Sequence, residues 1–357
     1  MNKVYKIIIS LSSLIIIGFI IFIANNKFNF LNKIFGIGTM SGEKQEEKIK
    51  ETPKLKIVDE DSDTRIYAVM INNSHKAWPH AGLQDAFLNY EIIVEGGITR
   101  IMSLFKDANT EKIGSVRSAR HYFIDYAMEN DAIFVHHGRS PQALSDINTF
   151  KIDNIEGLYD SKGFWRDTTL KKAYEHTSFT NIEKINSVIE TKGYRNTTES
   201  DLLLNYSIEE VDLSELEGAI KADNINIKYS SYHTTSYTYD SDKKEYLRVM
   251  SDEEHVDAIT GLQYRTKNII TYKVKNNTID STGRQDLDNV GSGEGYYISN
   301  GYAVPITWKK ISRSSKTVYK YLNEKEIDVN DGVTWIQIQP DDQELLITSN
   351  ETEVQSE

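Results

Sequence analysis

The chain has 357 residues, 39% hydrophobic and 26% charged, enough for one large or two ordinary domains with cores of their own. A net charge of −12 speaks against a nucleic-acid-binding surface. The absence of cysteine removes disulfides, thiolate nucleophiles and lipid-modified cysteine together.

Residues 7–24 carry no charge and are rich in Ile, Leu and Phe. At about 1.5 Å per residue they approach the roughly 30 Å hydrocarbon core of a bilayer. The rival is a cleaved signal peptide, whose apolar core runs to about 7–15 residues and ends in small residues. Phe22, two before Ala24, is a poor cleavage context. The expectation is therefore a single-pass transmembrane anchor over residues 1–24. Lys3 and Lys6 lie inside, and the folded domains stand outside the cytoplasm at the cell membrane. Residues 25–63 read as a polar stalk, with Phe28, Phe30, Leu31, Ile34 and Phe35 suited to a short interfacial helix.

A first domain is expected over residues 64–200. Residues 65–71 form a strand and Asn72-Asn73-Ser74 a turn. In 89–95, Tyr90, Ile92 and Val94 fall on one face, and Glu91, Ile93 and Glu95 on the other. After Gly96-Gly97 the strand 99–106 returns as a hairpin and brings Arg100 towards Glu95.

Gly114 to Arg120 reads as a helix start, leading into a helix over 121–130 with Tyr122, Phe123, Tyr126 and Ala127 as its apolar stripe. Arginines in a first turn oppose the helix dipole by about 0.3–1 kcal/mol each. Arg117 and Arg120 therefore imply a compensating negative group. It is either a ligand phosphate, sulfate or carboxylate, or Glu91 or Glu95 of the chain itself.

Residues 131–137 form a strand ending in His136-His137-Gly138, and Ser140-Pro141 supplies an N-cap and a first helical residue. The unpaired amides of that turn, around Gly138 and Ser140, suit an anion. His136 and His137 point to opposite sides of the strand and do not readily share a metal. No metal and no cofactor are expected. His136 is a candidate general base or ligand donor, or a hydrogen-bonded structural residue. Trp165 beside Arg166 can line a pocket through stacking and a planar donor, or plug a core. Thr180 with Glu183 forms a capping box before a helix whose apolar face is Ile182, Ile185, Val188 and Ile189, closed by Gly193.

Residues 201–223 read as a connector. From 224 to 341 the texture is short strands rich in tyrosine: 225–230, 234–239, 245–250, 268–275, 318–322 and 333–339. Asn300-Gly301 between 296–299 and 302–308 is a two-residue hairpin signal. The run Gly291-Ser292-Gly293-Glu294-Gly295 lacks the lysine and following helix of a nucleotide loop. Residues 342–357 read as an acidic tail that frays.

The blocks RIYAVMINN, GLQDAFLNYEIIVEGGITRIMSLF, IGSVRSARHYFIDYA, DAIFVHHGRSPQA and GLYDSKGFWRD, in that order, resemble the N-terminal domain of the YerB-like lipoproteins of Gram-positive bacteria. Asn268–Val274, Gly283-Arg284-Gln285, Val290 to Gly295, Trp308-Lys309 and Gly332 to Ile336 are similar to the C-terminal domain that accompanies it. The resemblance implies a membrane-tethered extracytoplasmic protein with a three-layer α/β domain, and it implies no reaction. Family members commonly carry a lipid-modified cysteine, whose place the transmembrane anchor would take here. The family's His-x-Gly-Gly-Ser pattern stands as His136-His137-Gly138-Arg139-Ser140.

The expected fold class is thus α/β (α+β), a three-layer N-terminal domain and a smaller mainly β C-terminal domain behind one transmembrane helix. The expected function is a tethered binding or accessory protein of the cell envelope. It would hold an anionic ligand or partner group at Arg117, Arg120, His136, Gly138, Ser140, Trp165 and Arg166. The alternative is an envelope hydrolase or transferase, with Glu95 or Glu91 as acid/base, His136 as base and the arginines as clamps. Expected partners are the lipid bilayer, through the N-terminal helix, and a cell-wall polymer or envelope protein, with no nucleic acid.

Overall fold

A computed structural model describes residues 53–350. The expected anchor and the stalk up to residue 52 lie outside the described residues, as does the tail from 351. Among the described residues no helix is long and apolar enough to cross a membrane.

The first half contributes strands β1 (Tyr67–Asn72), β2 (Leu88–Ile93), β3 (Thr99–Phe105), β4 (Ile133–His136) and β5 (Asn154–Glu156). Its helices are α1 (His121–Glu129), α2 (Pro141–Thr149) and α3 (Ile182–Lys192). The second half contributes β6 (Asn224–Lys228), β7 (Thr234–Asp240), β8 (Glu245–Met250), β9 (Asn268–Val274), β10 (Gly291–Ser299), β11 (Tyr302–Lys310), β12 (Thr334–Pro340) and β13 (Leu345–Thr348).

These strands do not separate by half. One mixed sheet runs β11–β10–β9–β12–β2–β3–β1–β4–β5. Its join is β12, parallel to both neighbours, with Thr334 opposite Leu88 of β2 and Asn268 of β9. β6, β7, β8 and β13 form most of a second sheet.

The large sheet is covered on both faces, so its central strands read as unbroken apolar runs rather than alternating ones. In β1, Ala68 and Met70 enter one core together with Tyr122, Phe123, Tyr126 and Ala127 of α1 and Ala143 and Ile147 of α2. Val69 and Ile71 enter the other with Ile185, Val188 and Ile189 of α3 and with residues of the second sheet. The apolar stripes expected for α1 and α3 are thus the faces that cover the sheet.

Two turns follow the expected chemistry. Asn300 and Gly301 both have positive φ, 52° and 80°, between Ser299 and Tyr302, as a type I′ hairpin requires. Ile93 faces Thr99 across the first hairpin.

Other expectations change. α3 is capped by Asn181, whose Oδ1 accepts from Lys184 N at 2.8 Å, one residue after the threonine of the expected box. Residues 53–63, expected in the stalk, pack instead: Leu55 and Val58 are buried in the core, and Asp331 accepts from the amides of Lys56 and Ile57. Residues 342–350, expected to fray, are held instead: Leu345 and Ile347 pack inward and β13 pairs antiparallel with β6.

Candidate functional site

β1, β4 and β5 are parallel, and their carboxyl ends lie side by side. In open α/β sheets this edge is where loops converge on ligands. The segment before α1 crosses it in extended form. Arg117 N donates to Met70 O at 2.8 Å, and Arg117 O accepts from His137 N at 3.0 Å. The helix itself starts only at His121, with Arg120 as its N-cap. Neither arginine therefore sits in a first turn, and the dipole argument for a counter-charge does not apply to them. What replaces it is the contact each arginine makes.

Arg120 is answered by the chain. It grips Glu95 in a bidentate pair, with Nη2 donating to Oε2 at 2.9 Å, while Arg100 Nη2 stands 3.6 Å from the same oxygen. Burial alone would raise the Glu95 pKa; the Arg120 hydrogen bond and the charges of Arg100 and Arg120 bring it below the usual value. A carboxylate so fixed in its ionised form is a poor proton donor.

Arg117 has no such answer. Among the described residues its half-buried guanidinium makes no hydrogen bond and no ion pair. Burial disfavours its charge, Glu175 favours it, and Arg120 and Arg166 again disfavour it, for a net lowering of its pKa. His137 and His176 feel it as well. A cation in that setting gains from any anion that reaches it.

His136 and His137 part company as strand alternation requires. His136 is fully buried, with Nδ1 3.0 Å from Gly138 O and 3.2 Å from Glu156 Oε2, and its Nε2 has no partner. The amide of Gly138 donates to Glu156 Oε1 at 2.6 Å, and Arg139 Nη1 reaches the other carboxylate oxygen at 2.5 Å. The anion at this turn is therefore Glu156. Burial would raise its pKa, but His136, Gly138 and Arg139 hold it at about 2. Gly138 has φ +85°, and a Cβ there would come within 2.8 Å of Ser118 Oγ, so only glycine fits the turn. Ser140 caps α2 through Ala143 N at 3.1 Å and is itself buried.

His137 turns the other way, to the arginines. Its Nε2 lies 3.0 Å from Arg166 Nη2 and its Nδ1 2.8 Å from Ser178 Oγ. Arg166 has no acceptor, so it donates to Nε2 and the Nδ1–H donates to the serine. Arg166 also donates to Tyr174 O at 2.6 Å and lies 3.9 Å from the centre of that ring. Trp165 faces away from Arg166 and packs towards Phe179, at 6.1 Å between ring centres.

The structure thus gathers Arg117, Arg120, Arg166 and Glu95 with His137, Tyr174, Glu175 and His176. It separates from them the buried His136 and Ser140, the half-buried Gly138 and the outward-turned Trp165. A cavity of about 600 Å³ lies elsewhere, lined among others by Asp59, Glu60, Asp61, Asp63, Lys106 and Lys316. Its acidic rim suits no anion.

A second polar cluster lies between the two sheets. Glu91 and Glu95 diverge because β2 ends at Ile93 and Glu95 enters a turn. Glu91 points into the interior and meets Arg248 Nη2 at 2.5 Å, His233 Nε2 at 3.0 Å and Thr99 Oγ1 at 2.7 Å. Burial would raise its pKa; Arg248 and His233 pull it far down.

A directed chain leaves this pair. Arg248 donates to His255 Nδ1. His255 Nε2 lies 2.7 Å from His80 Nδ1, and His80 Nε2 lies 2.8 Å from Asn72 O. Because Arg248 has only donors and Asn72 O only accepts, both imidazoles are neutral and all donate in one direction. The Asn72 side chain continues to His176 Nδ1 at 2.8 Å, at the margin of the arginine site. Sequence reading passed over His80, His233, Arg248 and His255. The available signal was Arg248 itself, at an inward position of β8 between Tyr246 and Met250.

Residues 52–195 match the family described as protein of unknown function (DUF3048), N-terminal domain, and residues 225–336 match its C-terminal domain. YerB of Bacillus subtilis (strain 168), which carries a lipoprotein designation, is 32% identical over 291 residues, covering 80% of this chain and 85% of that one. The crystal structure of YerB protein from Bacillus subtilis superposes with a TM-score of 0.72 at 30% identity, over 84% of this chain and 99% of that chain.

Proposed function

We propose, from the premise that this chain belongs to the DUF3048 family, that it is an envelope-associated accessory protein which holds an anionic group at Arg117. The lipoprotein designation of the Bacillus relative supports a tethered, extracytoplasmic placement. In this reading residues 1–24 serve as a single-pass tether in the bilayer, and the ligand is a wall polymer or an acidic partner protein.

One observation carries the reading. Arg117 is a half-buried guanidinium with no partner among the described residues, beside Arg120 and Arg166. Structural arginines at such burial pair with carboxylates, as Arg120 and Arg139 do here. A hydrolase finds less support, since Glu95 is gripped by Arg120 and His136 is enclosed with Glu156.

Calorimetry of the protein with inorganic phosphate and with acidic wall fragments tests the proposal. Binding should weaken at least about tenfold in Arg117→Ala and stay unchanged in Arg195→Ala, whose guanidinium is occupied by Asp131. Equal affinity in wild type and Arg117→Ala would remove the site. Mass spectrometry of the fragments after incubation should show no new products.

A further inference from the structure

We infer that the anion carried at Arg117 belongs to an acidic glycan, whose sugar rings stack on Tyr159 and Tyr174. The inference rests on the anion site proposed above and adds the chemical class of the ligand.

Tyr159 and Tyr174 are each 72% exposed, unusually open for such large side chains. Neither is loose. Arg139 lies 5.1 Å from the centre of the Tyr159 ring and its Nη2 is 3.4 Å from the phenol oxygen. Arg166 lies 3.9 Å from the centre of the Tyr174 ring and is bonded to that residue's carbonyl. Each guanidinium lies near its ring, and most of each tyrosine remains open to solvent. A ring held this way loses little freedom when a flat ligand settles on it.

The two rings belong to one strip. Arg166 reaches His137, and the His137 ring lies on Gly157, where a Cβ would come within 2.3 Å of Nδ1. Gly157 precedes Leu158 and Tyr159, so the order along the surface is Tyr174, Arg166, His137, Gly157, Tyr159. Arg117 adjoins the strip at His137, whose amide donates to the Arg117 carbonyl at 3.0 Å.

Charge spacing narrows the ligand. Arg100, Arg117, Arg120, Arg139 and Arg166 face Glu95, Glu156 and Glu175 here, five charges against three, which leaves two positive charges in excess. A nucleic acid presents a charge about every 1.7 Å of duplex axis and needs far more. An apolar peptide anchor needs a pocket, and these rings stand on the surface instead. A chain of sugars with one carboxylate or phosphate per unit matches both features: apolar C–H faces for the tyrosines and isolated anions for Arg117.

The test is calorimetry on the full-length protein with inorganic phosphate, an oligogalacturonate, a neutral oligosaccharide of equal length and oligoglutamate. The oligogalacturonate should bind most tightly. Tyr159→Ala should weaken it about two- to tenfold and leave phosphate binding unchanged, while Tyr174→Ala, whose ring also supports Arg166, should weaken it by at least as much. Phosphate binding together with an oligogalacturonate that binds no tighter, or that ignores both tyrosine changes, overturns the glycan while leaving the anion site. Oligoglutamate binding with the same tyrosine dependence overturns it in favour of a peptide. Failure of every anion to bind removes the anion site and this inference with it.

Discussion

Glu91 Oε2 and Arg248 Nη2 lie 2.5 Å apart with neither side chain exposed to solvent. The carboxylate comes from the first half of the chain and the guanidinium from the second, so this pair ties the two sheets across the interior. Removing one partner of a buried pair strands the other charge, at about 3–5 kcal/mol. Urea unfolding of Glu91→Gln and Arg248→Met should each show a loss of that order, with the double variant losing less than the sum. Losses below about 1 kcal/mol would mean that the pair is not what joins the sheets.

Acid should attack the same region first. Burial pushes His80 down to about 3, and burial with the nearby Arg248 pushes His255 well below its ordinary value. A histidine depressed in the folded state is protonated earlier in the unfolded chain. Stability is therefore full above the unfolded value of about 6.5 and falls as pH drops towards 3, by up to about 1.4 kcal/mol per pH unit for each histidine. Glu91, also depressed, adds its own loss once pH falls below the unfolded carboxylate range. Thermal unfolding should give a clearly lower midpoint at pH 5 than at pH 7.5. A flat profile between those values would contradict the neutral imidazole chain.

Arg117 and Arg120 should separate binding from stability. Arg117→Ala removes a side chain that nothing in the described chain contacts by hydrogen bond or ion pair, so stability should move by less than about 0.5 kcal/mol while phosphate binding falls. Arg120→Ala leaves the partly buried Glu95 with Arg100 alone and should cost about 1–3 kcal/mol. Parallel denaturation and calorimetry on the two variants check this. A large stability loss in Arg117→Ala would show that the residue is structural.

Anion affinity should also rise in acid. Burial, then Arg166, lowers the His137 pKa, so the ring is neutral at pH 7 and accepts from Arg166. As pH falls through its folded value, which lies below 6.5, the ring gains charge and can no longer accept. Both effects offer the anion more positive charge. Affinity for sulfate, whose charge is constant over this range, should increase between pH 7 and pH 5 and do so less in His137→Gln. A pH-independent affinity in the wild type would exclude His137 from the site.

Local features were legible where sequence and structure share a period. Tyr90, Ile92 and Val94 lie in one core and Ile93 in the other, as alternation requires, and Asn300-Gly301 makes the turn its residues demand. The bundling of Arg117 with Arg166 and His137 was only half visible. The arginines stood out, but their relation to Tyr174 depends on where a long loop returns. The Glu91 network was hidden for the same reason, because His80, Arg248 and His255 come from separate segments and share no spacing. β12 was readable as a strand, yet nothing near it in the chain announces that it pairs in parallel with β2.

That placement sets the order in which the molecule can be made. β2 and β9 are both made before residue 334, and until β12 emerges each waits for the same missing neighbour. The keystone of the large sheet is delivered only after both strands that it joins. Until then the slot between those strands leaves two sheet edges unpaired and open to wrong partners.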